Sequence, residues 1–219
     1  MAAKRLKLGF NLLGNIYNPL KKYFLKNQPE NAIAIGVSRL KRLYTKILIV
    51  GGGADNTIEE LLKLESVIEI TQVDISETLT NKSKKRIQSG VKPKHNVCYE
   101  VNAFLDWQSL KKFDLIICPF YLDLFGDEEI LKNLEKMKSM LNPEGEILVI
   151  DFKSFANQSI RQQWQLRILY LLFYPFTGII RKATPDYLTL FDKKKYKLRS
   201  EIPLALPSYS ALLFGLKRN

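Results

Sequence analysis

A β-branched run that stops at three consecutive glycines, KILIVGGGADNTIEELLKL over residues 46–64, constrains this chain more than any other feature. The run 46–50 reads as a strand. Gly51, Gly52 and Gly53 then let the backbone turn sharply and approach a ligand where side chains would obstruct it. Asn56 or Thr57 offers a helix cap, and Glu59 or Glu60 three residues on completes a capping box. A strand, a tight turn and a helix whose N-terminus points back at the turn together suit a nucleotide-like ligand.

The pattern repeats. Strand-like runs occupy 46–50, 68–74, 96–101, 113–118 and 145–151, with helical periodicity at 57–64, 77–88 and 127–141 between them. Such alternation predicts βαβ units, hence an α/β, doubly wound, Rossmann-like and largely parallel sheet. A chain of 219 residues, 46% hydrophobic and 26% charged, suits one domain with a sizeable core. We expect a single unit in four parts: an N-terminal helical cap (1–45), a cofactor-binding core (46–151), an inserted lid (152–187) and a C-terminal strand hairpin (188–219).

In such sheets ligands sit beyond the carboxyl ends of the strands. Asp74 closes the second strand, where a carboxylate can accept hydrogen bonds from both hydroxyls of a ribose. Glycine turn plus strand-end acid is therefore a two-part nucleoside site. A dinucleotide fingerprint would need a third glycine where Asn56 stands. Asp55 would also repel a phosphate, whereas a cofactor bearing an amino group tolerates an acid there. The balance favours S-adenosyl-L-methionine over NAD.

ILIVGGGADN, TQVDIS, EVNAFLDW, FDLIICPFYLDLF, LNPEGEILVIDF and the closing YSALLFGLKR, taken in order, resemble a class I S-adenosylmethionine-dependent methyltransferase. The resemblance covers roughly residues 15–219 and is closest to the ubiquinone/menaquinone methyltransferase-like small-molecule group. It implies a seven-stranded sheet with an antiparallel last strand. It also implies that Gly51 to Gly53, with Asp55, hold the methionine part, Asp74 and Ile75 the ribose, and Asn102 with Ala103 the adenine. Pro119, Phe120 and Tyr121 would border the methyl group, Pro119 on the cofactor side and the two aromatics on the acceptor side. Three positions depart from the family pattern: Ile49 replaces an acid, Ala54-Asp55 replaces Thr-Gly, and Asn102 replaces Asp. The glycine segment is also similar to the opening of spermidine synthases, so an aminopropyltransferase-like enzyme is one alternative. An RNA methyltransferase and a non-catalytic protein that keeps the fold are others.

Charge is uneven. Residues 1–46 and 153–219 each carry net +9, and the middle carries −6, within a total of +12. No N-P-P-Y-like motif or appended RNA module accompanies the basic flanks, so nucleic acid is not the favoured partner. Residues 10–24 form an apolar helical stripe broken at Pro19, and within it Tyr17 resembles the family's substrate-facing tyrosine. The lid is strongly apolar, with Trp164 and Phe173 as candidate substrate contacts, which points to a lipophilic acceptor. Arg181, Lys182 and KKKYK at 193–197 add cations that suit an anionic membrane surface.

No apolar run reaches spanning length, and no secretory signal is evident, so a cytoplasmic or membrane-peripheral protein is expected. Cys98 and Cys118 have no metal-like spacing and read as buried thiols; no metal site is expected. His95 precedes a strand, at the wrong edge for catalysis. If the acceptor needs a general base, Asp123, Asp151 and Tyr17 are the candidates, with Tyr121 as a polar alternative.

Overall fold

A computed structural model describes residues 8–9, 25–64, 69–88, 96–153, 159–160, 163–164, 167–168, 170–171, 174 and 184–217. Tyr17, His95 and Phe173 lie outside the described residues.

Seven strands form one sheet: β1 (Lys46–Val50), β2 (Glu69–Asp74), β3 (Asn96–Val101), β4 (Phe113–Pro119), β5 (Leu141–Phe152), β6 (Tyr196–Ile202) and β7 (Tyr209–Leu216). Their order is β3-β2-β1-β4-β5-β7-β6. β1 to β5 pair in parallel, while β7 runs antiparallel to both β5 and β6. The order reverses between β1 and β4, which makes the crevice beyond their carboxyl ends the topological switch point.

Period-two alternation splits the core between the two faces of the sheet. Ile47, Ile49, Leu115, Ile117, Leu148 and Ile150 pack on one side with Ala32, Ile33 and Val37 of α1 (Gln28–Ser38). Leu48, Val50, Ile116, Cys118, Ile147 and Val149 pack on the other, under Ile130, Leu134 and Met137 of α4 (Asp127–Met140). α5 (Tyr187–Lys193) joins that second layer through Leu190 and Phe191. Completing the helices are α2 (Thr57–Leu62) and α3 (Glu77–Gln88).

Element positions follow the sequence expectations, with instructive shifts. β5 begins at Leu141 rather than 145, because Leu141 pairs with Phe113 before an irregularity in register. α2 stops at Leu62, two residues short of the expected end. Its cap also differs: Asn56 makes no side-chain cap, and instead the Asp55 carboxylate accepts the Thr57 N–H at 2.9 Å. The Asn56 amide donates to the Glu30 carbonyl of α1, so it joins two helices. Cys118 is buried, whereas Cys98 is only half-buried; both are free thiols.

At the amino edge of the sheet, Asp114 accepts the backbone N–H groups of Thr45 and Lys46 and the amide of Asn142. One carboxylate thus gathers the starts of β1, β4 and β5, far from the switch point.

Candidate active site

The turn after β1 holds three left-handed glycines in succession, with φ of +78°, +81° and +51° at Gly51, Gly52 and Gly53. Any other residue would be strained in this run. A Cβ would also collide with neighbours: at Gly51 it would lie 2.7 Å from the Tyr121 ring, and at Gly53 2.8 Å from Leu79. The glycines are thus required first by the protein's own packing around the turn, and the side chains that press on them also line the cavity.

Two residues the sequence reading did not single out set the shape of this turn. Gln72, buried in β2, donates its amide to the carbonyls of Gly51 and Gly53, at 3.3 and 3.0 Å. Arg86, on α3, reaches across to the carbonyls of Ala54 and Asp55 and pairs with Glu59. Gln72 carried a signal, a long amide at an inward strand position two residues before the acid; Arg86 carried none.

Asp74 is buried at the end of β2. One carboxylate oxygen accepts the Gly53 N–H at 3.0 Å, the other the Ser76 N–H at 2.7 Å. A carboxylate has about four acceptor positions, so these bonds fix its orientation and leave capacity for a ligand. Burial pushes its pKa up to about 6, against the pull of the two amides, and nearby Asp55 pushes in the same direction as burial.

A cavity of about 280 Å³ opens at this point. Gly51, Gly52, Gly53, Asp55, Asp74, Ile75, Asn102, Ala103 and Pro119, all nominated for the cofactor, line it together. Phe120 and Tyr121 line it too. Among the described residues its charged lining is one-sided: Asp55, Asp74, Asp106 and Glu129, with no lysine or arginine. Such a lining attracts a cation and disfavours a polyphosphate.

The β4 end is aromatic. Phe120 takes a left-handed φ of +49°, a costly conformation for a bulky residue. Its N–H donates to the Ile150 carbonyl, and its ring packs on Phe152 and Tyr209, with centroids 5.3 and 5.9 Å away. The Tyr121 hydroxyl donates to the Asn133 side chain at 3.0 Å, and burial holds its pKa well above the ordinary phenol value. It is therefore a poor base.

Asp123 and Asp151 are brought together, but away from the cavity lining. Both are almost wholly buried, at 2% and 0% exposure. Tyr170 donates to Asp123 at 2.9 Å and Tyr187 to Asp151 at 2.5 Å. The Phe152 N–H also bonds Asp151. Burial, and then the Asp123 charge, hold the Asp151 carboxyl well above the ordinary range. Two buried carboxylates side by side cannot both ionise cheaply, so the pair retains a proton. This corrects the expectation that they face the acceptor directly. Trp164 also departs from expectation: it is 59% exposed and is not among the cavity-lining residues.

Residues 47–145 match a family model described as a methyltransferase domain. Over this segment, a little under half of its length, the chain is similar to methyltransferase domains. Solved structures extend the likeness through the whole fold at low identity. The DhpI–SAH complex aligns with TM-score 0.70 and 12% identity, over 100% of this chain and 98% of that one. The mitomycin 7-O-methyltransferase MmcR aligns with TM-score 0.70 and 12% identity, over 87% of this chain and 54% of that one. Human N-acetylserotonin methyltransferase, in complex with SAM, gives TM-score 0.63 and 18% identity over 94% of this chain. The chain therefore spans little more than half the length of the last two, 54% and 56%. No curated protein matches the sequence. Among the described residues no helix is long and apolar enough to cross a membrane, and no group of three or more His, Cys, Asp or Glu side chains is placed to hold a metal ion.

Proposed function

We propose that this protein transfers the methyl group of S-adenosylmethionine to a lipophilic small molecule, at an oxygen or carbon of an aromatic or acyl-chain-bearing acceptor. The observation that supports this reading is the polarity of one cavity: carboxylates around the glycine turn, and aromatic and aliphatic side chains at the β4 end. The mitomycin and N-acetylserotonin enzymes, whose names specify small-molecule acceptors, share the fold.

The residues fit the cofactor. Gly51 to Gly53 form a turn open to the cavity, Asp74 keeps acceptor positions for ribose hydroxyls, and Asn102 with Ala103 edges the adenine position. When bound, the cofactor supplies a sulfonium methyl group, transferred by in-line displacement as positive charge disperses. The chain's part is alignment and exclusion of water. Asp55 and Asp74 place negative charge near the cationic ligand. Phe120, Leu124 and Phe125 give the acceptor an apolar wall. Among the described lining residues no side chain stands out as a poised base.

The test is transfer from methyl-labelled S-adenosylmethionine to lipophilic phenols and acyl-bearing carboxylic acids, followed by organic extraction. Labelled product in the organic phase is expected. Cofactor retention without transfer to any acceptor would favour a non-catalytic protein, and label recovered on RNA would overturn the small-molecule reading.

A further inference from the structure

The described residues between 160 and 174 are helical, and among them Ile160, Trp164, Ile168, Leu171 and Tyr174 are spaced by four, four, three and three. Helical geometry puts all five on one face. That face is open to solvent: Ile160 is 75% exposed, Trp164 59%, Ile168 43%, Leu171 70% and Tyr174 39%. Tyr170 lies off the stripe, buried, with its hydroxyl on Asp123. The helix is thus tied to the domain by one side and presents an apolar ridge by another.

An exposed ridge of this size calls for a covering surface, and the charge around it narrows the choice. Residues 153–183 contain five basic residues and no acid. Arg167 stands on the ridge itself, its guanidinium 5.8 Å from the Trp164 ring centre. Tryptophan beside arginine, with aliphatic side chains and no carboxylate, is the composition of a helix lying in the plane of a membrane interface. A second copy of this chain would oppose two basic segments of the same sign. RNA would leave the exposed Ile160, Ile168 and Leu171 without an apolar cover, which an acyl boundary supplies.

We infer that the ridge formed by Ile160, Trp164, Ile168 and Leu171 docks on an anionic lipid surface, with the aliphatic and indole side chains entering the acyl boundary while Arg167 on the same face meets the headgroups. The inference does not rest on the methyl-transfer reading, since none of these residues lines the cavity.

The experiment uses the full chain and extruded vesicles of phosphatidylcholine, with or without about one-third phosphatidylglycerol, read by co-sedimentation and tryptophan emission. The chain has two tryptophans, and Trp107 is buried, so a blue shift on adding vesicles reports Trp164. Binding to the anionic vesicles is expected with a blue shift, weaker binding to the neutral ones, and at least a tenfold loss of partitioning in W164S/L171S. Both substituted residues are exposed, and unchanged affinity for S-adenosylhomocysteine serves as the check that the variant is folded. Absence of binding to anionic vesicles overturns the inference. So does binding that W164S/L171S leaves intact, which would mean attraction by basic residues alone. A self-association abolished by the same substitutions, without vesicle binding, would assign the ridge to a second copy instead.

Discussion

The ends of β2 and β5 both bury a carboxylate near the switch point, and they hold it in different ways. Asp74 is oriented by backbone N–H groups of Gly53 and Ser76, from its own turn and the adjacent one. Asp151 accepts the backbone N–H groups of Phe152 and Asp123 and, in addition, the phenol of Tyr187, thirty-six residues along the chain, with Tyr170 on Asp123 completing the cluster. The first arrangement leaves an acid available to a ligand. The second uses the acid to hold distant segments together. A strand-end acid is therefore a binding group or a fastening depending on what satisfies it, and its position alone does not say which.

Substitution at the β2 end should have the largest effect on binding. Asp74→Ala is expected to weaken S-adenosylhomocysteine binding by about 1.5–3 kcal/mol through lost charged hydrogen bonds. Unchanged affinity in calorimetry would remove Asp74 from the site and erase the contrast.

Acid pH should act through the same group. With a pKa near 6, Asp74 is mostly protonated at about pH 5, so cofactor affinity should rise about tenfold from there to about pH 7. In the ligand-free fold the sign is opposite: a carboxyl whose pKa burial raises contributes stability that is full below its unfolded value near 3.8 and lost as pH climbs through 6. Asp74→Asn should flatten both dependences. A cofactor affinity that instead falls across this window would show that the neutral acid is the binding form.

At the β5 end, Tyr187→Phe removes one donor from a buried carboxyl and should cost about 1 kcal/mol or somewhat more of stability, measured by urea unfolding. Cofactor affinity should stay within about twofold, as expected for separated sites. A large loss of cofactor binding would show that the two ends are coupled. The smallest effect is expected for Phe120→Leu, which keeps bulk but forfeits ring contacts with Phe152 and Tyr209 worth about 0.5–1.5 kcal/mol. It should raise the acceptor's KM and leave cofactor affinity alone.

This contrast also explains what was legible in the sequence. The strands, the switch point and Asp74 follow from local patterns, because periodicity, glycines and backbone donors all act within a few residues. The nine positions nominated for the cofactor, several of them by resemblance alone, line one cavity. Asp123 and Asp151 were recognisable as strand-end acids, but not as a tyrosine-satisfied pair, since Tyr170 and Tyr187 approach through tertiary packing that no short window records. Trp164 is a similar case: its helical spacing marked an apolar face, and spacing cannot say whether that face turns inward. The cap of α2 falls at Asn56 as expected, but the side chain that accepts the Thr57 N–H is that of Asp55, while the Asn56 amide turns to the Glu30 carbonyl of α1.

Gln72 has a consequence for how this site can change over evolutionary time. The bend after β1 takes its form from an amide rooted in the sheet beneath, and the lip above it is held by Arg86 on the Ala54 and Asp55 carbonyls. Because Arg86 grips backbone carbonyls, other side chains at positions 54 and 55 would leave that grip in place. Ligand preference is then free to drift at the rim while the foundation stays put.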